Sequence, residues 1–224
     1  LHLLEEMQQA REGLTDAVKY VLDHDELFPE VRGMLGEAID AQQGDAHLVE
    51  IALGTNIELL LVDDAAAAER IEEALGEGHG RVGLIAPAPN VPDAIPPGSE
   101  ATPLLQLVRV APHAAAAAHA LLGTTAVVSS LDTALRLRST LPAWRFVTRN
   151  GELVEEDGRI FVGQSAAHGK DGWLTRRIEQ NALAVEVAAI DQQIEQRQGE
   201  LSELLHEGEQ ARQQQKEAAQ QVRA

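Results

Sequence analysis

Residues 160–171 read Ile160-Phe161-Val162-Gly163-Gln164-Ser165-Ala166-Ala167-His168-Gly169-Lys170-Asp171, and two different folds hang on them. As a phosphate-binding loop they would make the chain a nucleotide hydrolase; as a strand ended by glycine they would make it an interaction module. A phosphate loop needs G-x-x-x-x-G-K-[ST], in which four residues between glycines aim backbone N–H groups at phosphate and the last hydroxyl holds magnesium. Here five residues separate Gly163 from Gly169, and Asp171 stands where the hydroxyl belongs. Its carboxylate would face the phosphates. The candidate magnesium segment, Glu58-Leu59-Leu60-Leu61-Val62-Asp63-Asp64, also precedes the loop instead of following it. Helix N-capping explains the two acids better, since the related Leu131-Asp132-Thr133 keeps only one of them.

Upstream of this stretch the pattern is one of strands. Trp144-Arg145-Phe146-Val147-Thr148 and Glu152-Leu153-Val154 flank Asn150-Gly151, the signal of a tight hairpin whose two turn positions favour positive φ. Asp157-Gly158 then turns the chain into Arg159 to Val162.

Further upstream lies a repeat. Leu35, Ile39, Leu53-Gly54-Thr55, Asp63 and Ala65 match Leu104, Val108, Leu122-Gly123-Thr124, Asp132 and Ala134, each pair 69 positions apart. Each copy reads as a short strand, an Ala-rich helix (Asp45 to Leu53, Pro112 to Leu122), a glycine break, a second strand and a further helix. The copies are joined by residues 86–103, which hold six of the nine prolines and read as an irregular connector.

The two ends share a heptad spacing. Leu4, Met7, Arg11, Leu14, Val18 and Val21 form a short apolar seam, and Leu183, Val187, Ile190, Ile194, Arg197, Leu201, Leu204, Gly208 and Ala211 form a longer one. The residues between are mostly polar, so each helix needs a partner. An antiparallel pairing of the two ends supplies it; for the short N-terminal segment, an ordinary helix packed on the domain is the other reading. The C-terminal helix would run about 70 Å at 1.5 Å per residue. The chain begins and ends inside helices and reads as a fragment.

Composition narrows the functions. There is no cysteine, hence no disulfide, thiolate metal site or thiol catalysis. The formal net charge of −18 opposes contact with nucleic acid except at a local basic cluster. Lys170, Arg176 and Arg177 are the only such cluster at the junction of domain and arm, read either as a solvated first helical turn or as a weak phosphate-contacting patch. The eight histidines are scattered without ligand spacing, and no serine sits in a G-x-S-x-G elbow. No nucleophile has an assignable base, so no catalytic, cofactor-binding or metal residue is named.

Taken in order, the heptad arm, duplicated α/β unit, proline connector, NG hairpin, glycine-flanked strand and long heptad arm resemble the hinge of structural maintenance of chromosomes (SMC) proteins with its coiled-coil stubs. The most specific segments are Leu53-Gly54 with Leu61-Val62-Asp63-Asp64-Ala65, and Val147 to Val154 running through Asp157-Gly158 to Ser165. The resemblance implies a mixed α+β fold: duplicated α/β subdomains at the tip of an antiparallel intramolecular coiled coil. Its expected parts are an N-terminal stub (1–24), subdomain I (25–85), connector (86–103), subdomain II (104–172) and C-terminal arm (173–224).

It further implies a homodimerising hinge of a cytoplasmic, chromosome-associated bacterial segregation ATPase. ATP and magnesium would belong to heads outside this fragment. Gly158, Ile160, Phe161, Val162, Gly163 and Ser165 would form the dimer contact, with weak DNA contact at Lys170, Arg176 and Arg177, and no membrane partner. The family pattern has two glycine pairs three residues apart; this chain keeps Gly158 and Gly163 but has Asp157 and Val162 at the other positions. The contact would then be either weaker or rebuilt with side chains such as Ile160, Phe161 and Val162. A nucleotide-binding α/β domain using the loop at 163–170, and a monomeric coiled-coil tip or spacer, stand as the alternatives.

Overall fold

The computed structural model of the protein describes residues 14–42, 44–76, 78–87, 98–163 and 172–221. Leu4, Met7 and Arg11 of the N-terminal seam, Ser165 and Lys170 lie outside the described residues, as does the pairing expected between the two ends. The chain forms two compact units, one ending at Gln180 and the other beginning at Asn181.

The first unit opens with helix α1 (Asp16–Asp23), then β1 (Val31–Met34), β2 (Ile39–Ala41), α2 (Ala46–Leu53), β3 (Leu60–Val62), α3 (Ala67–Leu75) and β4 (Leu84–Ile85). The second copy follows as β5 (Ala101–Pro103), β6 (Val108–Val110), α4 (Ala115–Leu122), β7 (Thr125–Val128), α5 (Leu131–Thr140) and β8 (Arg145–Thr148), extended by β9 (Leu153–Val154) and β10 (Ile160–Phe161). Helix α6 (Trp173–Gln221) closes the described chain.

The duplication is visible in the sheets. Strands run β1-β3-β4 in one and β5-β7-β8 in the other, with the first pair antiparallel and the second parallel in both. β9 and β10 are added to the second sheet alone, giving the order β10-β9-β8-β7-β5. β2 and β6 form a separate antiparallel ladder, Ile39↔Val110, Asp40↔Arg109 and Ala41↔Val108. Asp40 and Arg109 are equivalent positions at the 69-residue spacing, so this ladder is centred on an internal twofold relation between the copies.

Alternation along the strands separates three apolar layers. Leu60 and Val62 face α1 and α3, packing with Val18, Val21, Phe28, Met34 and Ile71. Leu61, Val127 and Val147 face inward, where α2, α4 and the start of α6 share one core through Leu48, Leu53, Leu122, Leu174 and Ile178. Ala126, Val128 and Phe146 face α5 and Trp144. Thus Leu14, Val18 and Val21 belong to the core of subdomain I. They match the reading of an ordinary helix packed on the domain, because a stripe spaced three and four apart suits a globular core as well as a heptad seam.

The 69-residue offset holds for β2/β6 and α2/α4 and then breaks. A 3-10 segment, Gly54–Glu58, precedes β3, whereas β7 begins at Thr125, immediately after Gly123-Thr124. Beyond it, Val62 pairs with Val31 as Val128 pairs with Ala101, so equivalents lie 66 apart. Asp63 and Ala65 are therefore not the counterparts of Asp132 and Ala134. Asp64 corresponds to Ser130, and both cap: the Asp64 Oδ1 accepts the Ala67 N–H at 2.9 Å, the Ser130 Oγ that of Thr133 at 3.2 Å.

In the second unit, α6 continues with Leu183, Ile190, Ile194, Leu201 and Leu204 exposed. They form a row at heptad spacing.

Candidate interaction site

β10 is the outer strand of the five-stranded sheet, bonded on one side to β9 through Ile160↔Val154 and Phe161↔Leu153. Ile160, Phe161 and Val162 are about half exposed or more, at 46%, 49% and 66%. Three consecutive large apolar residues beside a row of backbone donors and acceptors that no strand among the described residues covers invite another strand. The Arg159 guanidinium lies 5.8 Å from the Phe161 ring centroid.

Two hairpins of one design present this edge. In the first, the Thr148 N–H bonds Glu152 O at 2.9 Å and the Gly151 N–H bonds Thr148 O at 3.0 Å; in the second, Glu155 N–H bonds Arg159 O at 2.9 Å and Gly158 N–H bonds Glu155 O at 3.1 Å. Each is a three-residue loop ended by glycine, and both glycines have φ +97°. The Asn150-Gly151 pair thus closes a three-residue loop in place of the two-residue turn expected. Gly158 is further constrained by Arg138, whose Nη2 would lie 2.9 Å from an added Cβ. Asp157 accepts the Arg159 N–H at 3.0 Å and pairs with its Nε at 2.7 Å. These two bonds, the backbone one first, hold its carboxyl below the usual range. Gly163 ends the strand at φ +92°, with open space where a Cβ would stand.

Behind the edge sits Arg145, a residue of the strand run Trp144 to Thr148. Its Nη2 donates to Ala52 O at 2.6 Å and its Nη1 to Leu121 O at 3.2 Å, and its guanidinium pairs bidentately with Glu155. Ala52 and Leu121 are equivalent residues near the C-terminal ends of α2 and α4, where helix dipoles favour a cation. One guanidinium thereby bonds both copies and the base of the second hairpin. A cation inside the run Trp144-Arg145-Phe146-Val147 was the available sequence signal.

The basic cluster is divided. Arg176 is exposed, but Arg177 is half-buried, donating to Ile39 O and lying 5.3 Å from the Trp173 ring centroid. Burial pushes its pKa down. Arg177 is thus a packing residue, contrary to its reading as a DNA contact.

The nucleotide reading fails on topology. β3 and β10 belong to different sheets, and β10 is an antiparallel edge strand. Asp63 is engaged by Arg32 through three guanidinium hydrogen bonds, and Asp64 caps α3. No helix among the described residues is long and apolar enough to cross a membrane.

Comparison with known proteins agrees with this architecture. Residues 28–138 match the family described as SMC proteins Flexible Hinge Domain. The Chromosome partition protein Smc of Lactiplantibacillus plantarum is 26% identical over 205 residues, covering 85% of this chain; the chain spans 17% of that relative's length. The hinge domain of Geobacillus stearothermophilus SMC, solved as an asymmetric dimer, superposes with a TM-score of 0.75 at 27% identity, covering 86% of this chain and 81% of that one. The Pyrococcus furiosus SMC hinge domain gives 0.59 at 26% identity, covering 75% and 89%. Sheet order, duplication and family match converge on one assignment: the chain contains an SMC hinge domain.

Proposed function

We propose that this domain joins two copies of a chromosome partition ATPase by pairing hinge to hinge, with β10 as the contact strand. The observation that carries the reading is the β10 edge, open among the described residues, with Ile160, Phe161 and Val162 exposed beside it. The internal symmetry suggests where that edge docks. β4 occupies in the first sheet the place of β8 in the second; β8 is covered by β9, while β4 has no further strand beside it among the described residues. A partner's β10 laid along β4, with the reciprocal contact on the other side, closes a symmetric pair. The asymmetric dimer of the Geobacillus hinge supports self-association.

On this reading the domain itself does no catalysis, and ATP with magnesium binds heads elsewhere in the longer protein. Arg176, with Lys170, offers a weak, salt-sensitive DNA contact at most, given the net charge of −18. The protein would act in the cytoplasm on the chromosome. Light scattering at micromolar concentration tests the central claim. The wild type should have twice the chain mass, and Phe161→Glu and Gly163→Glu should each reduce it to one chain. A monomeric wild type would favour a coiled-coil spacer with a single globular tip.

A further inference from the structure

Glu50 is a buried carboxylate, 3% exposed, in the middle of α2. Its hydrogen bonds reach the start of α6: Oε1 accepts the Leu174 N–H at 2.7 Å and Oε2 accepts the Thr175 hydroxyl at 2.6 Å. A helix start leaves four N–H groups without intrahelical partners, and they are usually met by a Ser, Thr, Asp or Asn side chain immediately ahead of the helix. That position here is Gly172, whose carbonyl accepts the first helical bond from the Arg176 N–H at 3.0 Å. It has no side chain to offer. A Cβ on it would lie 2.0 Å from the Glu50 Oε2. Glycine therefore clears the space into which a carboxylate 124 positions before Leu174 in sequence is inserted.

We propose that Glu50 is the positioning residue that sets the first turn of the arm helix, a cap supplied by subdomain I in place of a local one. Two observations converge on this role: the carboxylate's donors come from that turn, and the glycine gap fits it. The same helix α2 passes its Ala52 carbonyl to Arg145, which holds Glu155 at the root of the β10 hairpin. One short helix thus bonds both the beginning of the arm and the base of the self-association edge. The inference rests on the hinge reading only in calling α6 an arm; the cap stands on geometry alone.

Amide hydrogen exchange on the whole chain tests it. In the wild type, the Leu174 and Thr175 amides exchange slowly for a first helical turn. Glu50→Leu, which keeps bulk and removes the acceptor, should speed their exchange by about tenfold or more while β7 and β8 amides keep their protection. Glu50→Gln, which retains an acceptor oxygen, should restore most of the loss. Gly172→Ala, which displaces the carboxylate while residue 50 stays glutamate, should reproduce the Glu50→Leu pattern and serves if that variant does not fold. Unchanged first-turn exchange, or an equal loss of protection across the sheets, would overturn the proposal. Solution mass in the same samples reads self-association separately, so failure of the cap and failure of the hinge contact give different results.

Discussion

Arg145 and Glu50 connect segments far apart in sequence, and each does so with a charge placed where little water reaches. Arg145 and Glu155 side chains are 15% and 11% exposed. Removing the cation leaves the carboxylate without its partner in a low-dielectric setting and two helix-end carbonyls unbonded. Arg145→Met should lower stability by about 3–5 kcal/mol, measured as a shift in the urea midpoint with unchanged slope. Glu50 brings a pH dependence of definite sign. Burial, opposed by the Thr175 and Leu174 hydrogen bonds, lifts its carboxyl above the ordinary 4.5. The folded chain then holds this proton more tightly than the unfolded chain, so this group adds stability as pH falls from neutral towards 4.5. Glu50→Gln should remove that part of the slope in urea titrations run across the same pH range. Both residues were visible in the sequence as anomalies, a lone acid in Ala-His-Leu-Val-Glu-Ile-Ala-Leu and a lone base among strand residues. Their partners were not, because nothing local encodes a contact 93 or 124 positions away.

At the scale of elements, legibility followed how local the physics is. The glycine-ended hairpins could be read because a residue at φ +97° has to be supplied by the loop itself. The Asn150-Gly151 loop is one residue longer than the expected turn, since Asn-Gly serves both a two-residue turn and the end of a three-residue one. Gly158→Ala should cost about 1–2 kcal/mol for the left-handed backbone and more if Arg138 cannot move. Thermal denaturation of that variant beside Gly44→Ala, at a glycine with free space around it, separates strain from generic loss of flexibility. The helix-cap equivalence was misplaced because an extra 3-10 segment in the first copy shifts every later position, which residue matching at one constant offset cannot absorb. For α1, the spacing of Leu14, Val18 and Val21 was readable but its partner was not. Only packing against Phe28, Met34 and Ile71 decides it.

At the scale of the whole molecule, the central apolar layer draws on both copies and on the beginning of α6. The duplication was legible because equivalent core positions retain apolar residues; the fact that the halves share one core was not, since periodicity shows which face is buried and not against what. The ladder between β2 and β6 has a consequence for how such a chain can be taken apart. Two related halves meeting through a self-complementary strand pair already behave like subunits, with covalent linkage raising their local concentration. Two polypeptides ending at Ala86 and beginning at Gly98, co-expressed, should co-purify as one folded particle with the circular dichroism of the uncut chain. Substituting Asp40 by Pro in the first piece, which removes a backbone donor from the strand pair, should prevent their recovery together. The internal symmetry would then amount to a dimer made permanent by a tether.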